Sequence, residues 1–159
     1  MFLKTLNIFL GIIIIGFSAF FLQETGILAI YGINPNLILI IPLLVIFFQQ
    51  NFYLLFFSLI TFILIFFMFI LFWLPALFIL EGLIIIFYFF KKILTGNKLI
   101  DFSIGIIFIT ISFYFIMAIL GGYNFLIWPA IAEIFYNLIV GLILWFSLSK
   151  ILNFYEKKT

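Results

Sequence analysis

The sequence contains no cysteine, no histidine and no arginine among its 159 residues. The first absence excludes thiol chemistry and disulfide bonds. The second excludes histidine metal ligands and a serine–histidine–aspartate triad. Without arginine, the chain has no bidentate clamp for a phosphate group. We therefore expect neither a catalytic triad nor a zinc hydrolase in this chain, and we assign no catalytic residue, metal site or cofactor.

Charged residues of either sign are also scarce. They make up 8% of the chain, whereas 69% is hydrophobic; soluble domains are usually about 25% charged and about 45–50% apolar. A soluble fold of this length has too little interior to bury so much Ile, Leu and Phe. The net charge of +2 comes without a basic stripe, so nucleic acid is not an expected partner. The composition predicts an integral membrane protein in a lipid bilayer.

Long apolar runs fill the chain. A membrane-spanning helix needs about 20 mainly apolar residues. We predict an all-α, polytopic membrane bundle of about six transmembrane helices, forming one integral membrane domain over residues 1–159. The first run is longer than the core of a signal peptide and is interpreted as an uncleaved helix. The predicted spans are residues 6–22, 37–48, 52–72, 75–90, 102–120 and 128–148.

The lysines fall in three clusters separated by apolar sequence. Lysine collects on the cytoplasmic flanks of membrane helices, so the three clusters should share one side of the bilayer. Six crossings with both termini in the cytoplasm satisfy this rule and leave Glu24 outside. We therefore predict a multi-pass protein of the cell (inner) membrane. The lysines interpreted as topology determinants are Lys4, Lys91, Lys92, Lys98, Lys150, Lys157 and Lys158.

A few polar residues interrupt the apolar spans. Such residues are costly in a bilayer and usually face the bundle or a cavity. Glu133, Asn137 and Gly141 form an i, i+4, i+8 stripe on the sixth span, and Glu81 lies near the middle of the fourth. Three interpretations stay open: bundle packing or partner contact, the lining of a small-ligand pocket open to the outside, and a proton or cation relay. We take these four residues as candidates for bundle organisation or partner contact.

A short polar segment separates the first two spans. Gln23 and Glu24 follow the first span, and Asn34 and Pro35 precede the second. Asparagine is a good helix N-cap, and proline suits the first helical turn, where its missing N–H is not needed. We expect Asn34 to cap the second helix, Pro35 to lie in its first turn, and all four residues to shape an outer loop. By the same reasoning, Asp101 is expected to cap the fifth helix.

Two segments resemble the rod shape-determining protein MreD family. The first is Phe21-Leu22-Gln23-Glu24-Thr25 followed by Gly32-Ile33-Asn34-Pro35-Asn36-Leu37, and the second is Tyr136-Asn137-Leu138-Ile139-Val140-Gly141 before a basic end. Size and the six-span plan are similar too. The family usually has a glycine-rich middle segment with an aspartate. Here residues 56–72 contain neither glycine nor acid, and Glu81-Gly82 is the nearest substitute. The chain therefore resembles a divergent member.

The resemblance implies a non-enzymatic membrane subunit of the bacterial cell-elongation machinery. Such proteins sit with MreC, MreB and the RodA–penicillin-binding protein synthase, and they help organise peptidoglycan insertion. The implied partners are an MreC-like protein and the RodA/penicillin-binding protein synthase. Two alternatives stay open. One is the substrate-binding (S) subunit of an energy-coupling-factor vitamin transporter, although the Ala-x-x-x-Ala pattern frequent in its first helix is missing here. The other is an uncharacterised membrane scaffold protein.

Overall fold

Six α-helices account for most of the chain in the computed structural model, which describes residues 2–30, 32–48, 52–69, 74–121 and 127–156. A 3-10 turn, Lys91–Ile93, follows the fourth helix, and the described residues form no strand beyond an isolated bridge between Ile30 and Ile33. The all-α prediction is confirmed. The helices are α1 (Phe2–Glu24), α2 (Leu37–Phe48), α3 (Phe52–Phe69), α4 (Leu74–Phe90), α5 (Lys98–Gly121) and α6 (Ile127–Glu156).

Two helices of the described chain, α5 and α6, are long and apolar enough to cross a membrane. In α6 the segment that qualifies is Ile127–Lys150. The helices follow the predicted spans in number and order, but α1, α5 and α6 extend beyond the predicted bounds at both ends. Six membrane crossings remain a prediction.

The short helix α2 is the centre of the bundle. It contacts each of the other five helices. Its sequence is apolar on every face, as a helix enclosed on all sides requires. Because its ends are surrounded by protein, the unpaired N–H and C=O groups of its first and last turns need partners from neighbouring segments. Its buried residues are Leu37, Ile38, Leu39, Ile40, Pro42, Leu43, Leu44, Ile46 and Phe47.

Two glycines allow α5 to approach its neighbours closely. A Cβ atom added at Gly105 would lie 2.7 Å from the Phe87 ring of α4. One added at Gly141 of α6 would lie 2.9 Å from the side chain of Ile106. Small residues at helix contacts permit this approach. Gly141, predicted on the polar stripe, is therefore a packing residue between α5 and α6.

Four large rings fill the end of the bundle where α2 ends. Phe47 lies 6.3 Å from Phe87, 6.1 Å from Phe102 and 6.1 Å from Trp145, measured between ring centroids. Phe102 and Trp145 are 5.1 Å apart. Edge-on and tilted contacts of this kind are favourable. This aromatic cluster, defined by these four residues, joins α2, α4, α5 and α6.

The predicted cap of α2 is wrong by two residues. The helix begins at Leu37, and the Oδ1 atom of Asn36, rather than that of Asn34, accepts the backbone N–H of Leu39 at 3.1 Å. An N-cap side chain must directly precede the first helical residue to reach this N–H, and Asn36 does so. Pro35 consequently lies before the first turn rather than within it.

The predicted start of α5 is also wrong. The helix begins at Lys98, and the Oδ1 atom of Asn97 accepts the backbone N–H groups of Leu99 and Ile100. Asp101 lies inside the helix and is buried. Its carboxylate accepts hydrogen bonds from the backbone and hydroxyl of Thr95 and from the backbone of Gly96. Asp101 therefore holds the preceding loop, and Asn97 provides the cap.

Candidate functional site

A polar cluster surrounds the N-terminus of α2. Its members come from α1, from the loop before α2, from α5 and from α6, so four separate segments of the chain supply it. The sequence prediction placed most of them on separate helical faces or in the outer loop, and the structure brings them together. The polar cluster is defined as Gln23, Asn34, Asn36, Tyr114, Glu133 and Asn137.

Side chains of α1 and α6 satisfy the first amides of α2. The Oδ1 atom of Asn137, which is fully buried, accepts the backbone N–H of Asn36 at 2.6 Å. The Oε1 atom of Gln23 accepts the backbone N–H of Leu37 at 3.2 Å. Together with the Asn36 cap, these bonds replace the water that an exposed helix end would use.

Glu133 accepts hydrogen bonds from three side chains. The Tyr114 hydroxyl donates to its Oε2 atom at 2.6 Å. The amide nitrogen atoms of Asn36 and Asn137 donate to its Oε1 atom at 3.4 and 3.3 Å. All three donors are neutral. The N-terminus of α2, which is the positive end of its dipole, lies beside this carboxyl group.

Asn36 joins the loop before α2 to Glu133 and Asn137 of α6, although sequence reasoning did not select it as a site residue. Its backbone N–H, its side-chain nitrogen and its side-chain oxygen each make a bond. The available signal was its position directly before an entirely apolar helix, where an N-cap residue is expected. Of the predicted outer-loop residues, Gln23 and Asn34 join the cluster, Pro35 is buried beside it, and Glu24 is exposed.

Two small cavities adjoin the polar cluster. The polar cavity has a volume of about 300 Å³. The apolar cavity, of about 290 Å³, extends along one face of α4. Both share Gln23, Asn34 and Asn36 as lining residues. The polar cavity is completed by Gly32, Ile33, Tyr114, Pro129 and Glu133, and the apolar cavity by Glu24, Ile38, Ala76, Leu77, Leu80 and Phe113.

Glu81 lies apart from this network. It is only 4% exposed on α4, and its Oε1 atom has no hydrogen-bond partner among the described residues. The hydroxyl oxygen of Thr110 on α5 is likewise buried without a partner there. Glu81 and Glu133 are both candidates from the sequence, but their surroundings differ. The Glu133 carboxyl group accepts three hydrogen bonds, whereas the Oε1 atom of Glu81 accepts none from the described residues. A partner or bundle role for either remains a prediction.

Lys91 closes the opposite end of α2. Its Nζ atom donates to the backbone carbonyl of Ile46 at 3.1 Å and lies 4.4 Å from the centroid of the Tyr88 ring. A lysine at a helix C-terminus satisfies an unpaired carbonyl and interacts favourably with the helix dipole. Burial lowers the pKa of Lys91, and the charges of Lys92 and Lys98 lower it further.

The other lysines surround the same end of the bundle. Lys92, Lys98 and Lys150 are exposed near the aromatic cluster, and Lys4 lies in the first turn of α1, far from Gln23 at the other end of that helix. Lys157 and Lys158 lie outside the described residues. The described lysines thus occupy the end of the bundle opposite to the polar cluster.

No family model, curated protein or solved structure matches the chain. The described residues also contain no group of three or more acidic side chains that could hold a metal ion. The site is therefore interpreted from its own geometry. That geometry joins three helices to α2 and leaves a small polar cavity beside the junction.

Proposed function

We propose that the protein is a six-span, non-enzymatic scaffold of the inner membrane with an MreD-like role in cell elongation. Its membrane location is supported by the large apolar side chains that point outward on several helices. Ile14, Phe67, Phe135 and Ile139 are each more than half exposed. Apolar surface of this extent favours lipid or a protein partner over water.

The observation that carries the MreD-like proposal is a contact between the two segments that resemble the family. Asn36 of the first segment is bonded to Asn137 of the second through a 2.6 Å hydrogen bond. Next to it, the Tyr136 hydroxyl donates to the backbone carbonyl of Leu28, in the loop that connects α1 to α2. The short motifs of the resemblance therefore form one hydrogen-bonded unit, which gives a structural reason for their occurrence together.

A scaffold needs a surface for its partner, and an apolar groove provides one. The groove has a volume of about 510 Å³ and runs between α1, α2 and α6. Its α6 side is formed by Val140, Leu144 and Leu148 at helical spacing, and its α1 side includes the small residues Gly11, Ser18 and Ala19. Small residues let helices approach closely in a membrane. We assign this groove to one transmembrane helix of a partner protein.

Co-purification tests the proposal. The tagged protein is purified from its native membranes in mild detergent, and the proteins that accompany it are identified by mass spectrometry. We expect MreC-like and wall-synthase proteins. Leu144→Trp fills the groove and should abolish their recovery, whereas Ile143→Trp, at a neighbouring exposed position, should leave it unchanged. Equal recovery with both variants would contradict the assignment of the groove.

The same experiment separates the transporter alternative. The polar cavity is the observation that favours a substrate-binding subunit, since such a subunit needs a small ligand site. Recovery of paired ATPases and a coupling subunit, in place of wall-synthesis proteins, would replace the MreD-like proposal with this one.

Reporter fusions on either side of α5 test one of the six proposed crossings. Asn97 lies in the loop before α5 and Asn124 in the segment after it. A reporter fused after Asn97 should read as cytoplasmic and one fused after Asn124 as external. The same side for both fusions would contradict the topology.

A further inference from the structure

The loop between α4 and α5 brings three lysines close together. Lys91 lies at its start, and Lys92 and Lys98 are exposed on either side of its turn. The charges of Lys92 and Lys98 both lower the pKa of Lys91, so the three ammonium groups are near enough to repel one another. Lysines near a helix end set its orientation in the membrane, but that role does not require them to lie so close together.

The carboxylate nearest to these lysines in the sequence is occupied by the loop itself. Asp101 is buried in the first turn of α5. Its Oδ1 atom accepts the backbone N–H and the hydroxyl group of Thr95, and its Oδ2 atom accepts the backbone N–H of Gly96. One buried negative charge therefore stands against three positive ones. The exposed ammonium groups of Lys92 and Lys98 are left to attract an anion from outside the chain.

Exposed apolar side chains lie directly beside these lysines. Phe89 and Phe90 end α4, and Ile93 follows Lys92; the three apolar side chains are 61%, 58% and 79% exposed. A long cationic side chain beside exposed apolar ones is typical of the boundary between acyl chains and headgroups, where the ammonium group reaches the headgroup level. The loop therefore combines a positive surface with an apolar one, as a phospholipid combines a headgroup with acyl chains.

We propose that the loop surface, defined as Lys92, Ile93 and Lys98, binds an anionic phospholipid. The two ammonium groups pair with the phosphate group, and Ile93 contacts the acyl chains. A zwitterionic lipid also has a phosphate group, but its own cation offsets the attraction to lysine. The proposal rests on the membrane location of the protein and not on the MreD-like role.

Phosphatidylglycerol and phosphatidylcholine provide a pair of lipids that differ in net charge. The full-length protein is inserted into nanodiscs that contain both lipids in equal amounts, and native mass spectrometry identifies the lipid that the released protein retains. Insertion into the nanodiscs tests the membrane location separately. We expect phosphatidylglycerol to be retained at least ten-fold more than phosphatidylcholine. Equal retention of the two lipids by the inserted protein would overturn the proposal.

Lysine variants locate the site. Lys92→Gln and Lys98→Gln should each lower the preference for phosphatidylglycerol about five-fold, which is the contribution of one lysine near an anionic surface. Both residues are exposed, so neither change should prevent folding. An unchanged preference in both variants would overturn the proposal.

Lys150→Gln is the matched control. Lys150 is exposed at the same end of the bundle and carries the same charge. Gly141 faces side chains of α5, and Lys150 follows it by about two and a half helical turns, on the opposite side of α6. Its substitution should leave the preference unchanged. A loss equal to that in Lys92→Gln would mean that the general positive charge of this end, rather than the loop surface, selects the lipid, and would overturn the proposal.

Two soluble probes exclude other occupants of the loop surface. Free glycerol phosphate has the phosphate group without the acyl chains that Ile93 contacts, so it should bind at least ten-fold more weakly than phosphatidylglycerol. Equal binding would overturn the role of the lipid. A hexaglutamate peptide stands in for an acidic segment of a partner protein. Binding of this peptide that depends on Lys92 and Lys98, without retention of phosphatidylglycerol, would assign the surface to a protein and overturn the proposal.

Discussion

Both ends of α2 have backbone polar groups that need hydrogen-bond partners, and different side chains provide those partners at each end. At the N-terminal end, Gln23, Asn36 and Asn137 supply oxygen atoms to backbone N–H groups. At the C-terminal end, Lys91 supplies one donor to the carbonyl of Ile46. Both arrangements satisfy backbone groups that the surrounding helices shield from water.

The two ends of α2 differ in how closely the surrounding side chains pack. The aromatic cluster packs large rings against the C-terminal end of α2. The polar cluster instead leaves a cavity and an unpartnered acceptor, Asn34 Oδ1. The polar end is therefore less closely packed than the end that Lys91 caps.

Removing Asn137 should have the largest effect on this comparison. Asn137→Leu keeps the approximate volume of the side chain but leaves the buried N–H of Asn36 without its acceptor, and Glu133 without one donor. An unsatisfied buried group costs about 1–3 kcal/mol, so with the lost donor we expect the free energy of unfolding to fall by about 3 kcal/mol. The measurement is unfolding in mixed detergent micelles.

Ser147→Ala provides the control on the same helix. Ser147 is exposed and donates only to the carbonyl of Ile143, one turn before it. Its substitution should change the free energy of unfolding by less than about 0.5 kcal/mol. A similarly small effect of Asn137→Leu would mean that water enters the polar end, and the two ends of α2 would then not be comparable.

Removing Lys91 tests the other end and should have a smaller effect. Lys91→Met keeps the packing of the aliphatic stem but removes the bond to Ile46 and the contact with the Tyr88 ring. We expect a loss of about 1–2 kcal/mol. Lys92→Met, at an exposed neighbouring position, is the control and should have little effect.

The pH dependence gives Lys91 a second test. Burial lowers its pKa from the usual 10.5, so the folded protein holds this proton less tightly than the unfolded chain does. The stability that this residue contributes is therefore greatest above the unfolded pKa and decreases as the pH falls through the lower, folded pKa. The difference between wild type and Lys91→Met should follow this direction, and it should be smaller in a Lys92→Met background, because the charge of Lys92 contributes to the lowered pKa.

The sequence predicted the helices better than the polar contacts, for a physical reason. Apolar runs are local, so the helix order and the interval of α2 could be derived from them. The partners of Asn36 lie on α6, about a hundred positions away, and no local pattern indicates that pairing. The sequence did not predict Gly105 as a packing residue for the same reason, because the Phe87 ring that requires a glycine belongs to another helix.

Glu81 should give the smallest effect, and one of opposite sign. It lies between the two ends of the bundle, where its Oε1 atom is buried without a partner among the described residues. A buried polar group without a hydrogen bond destabilises the fold, so Glu81→Met should raise the free energy of unfolding by about 1 kcal/mol. Glu81→Gln keeps a buried polar group and should show no such gain. A loss of stability in Glu81→Met would indicate a bonding partner for the carboxyl group. A gain accompanied by loss of the co-purified partners would assign Glu81 to a partner contact.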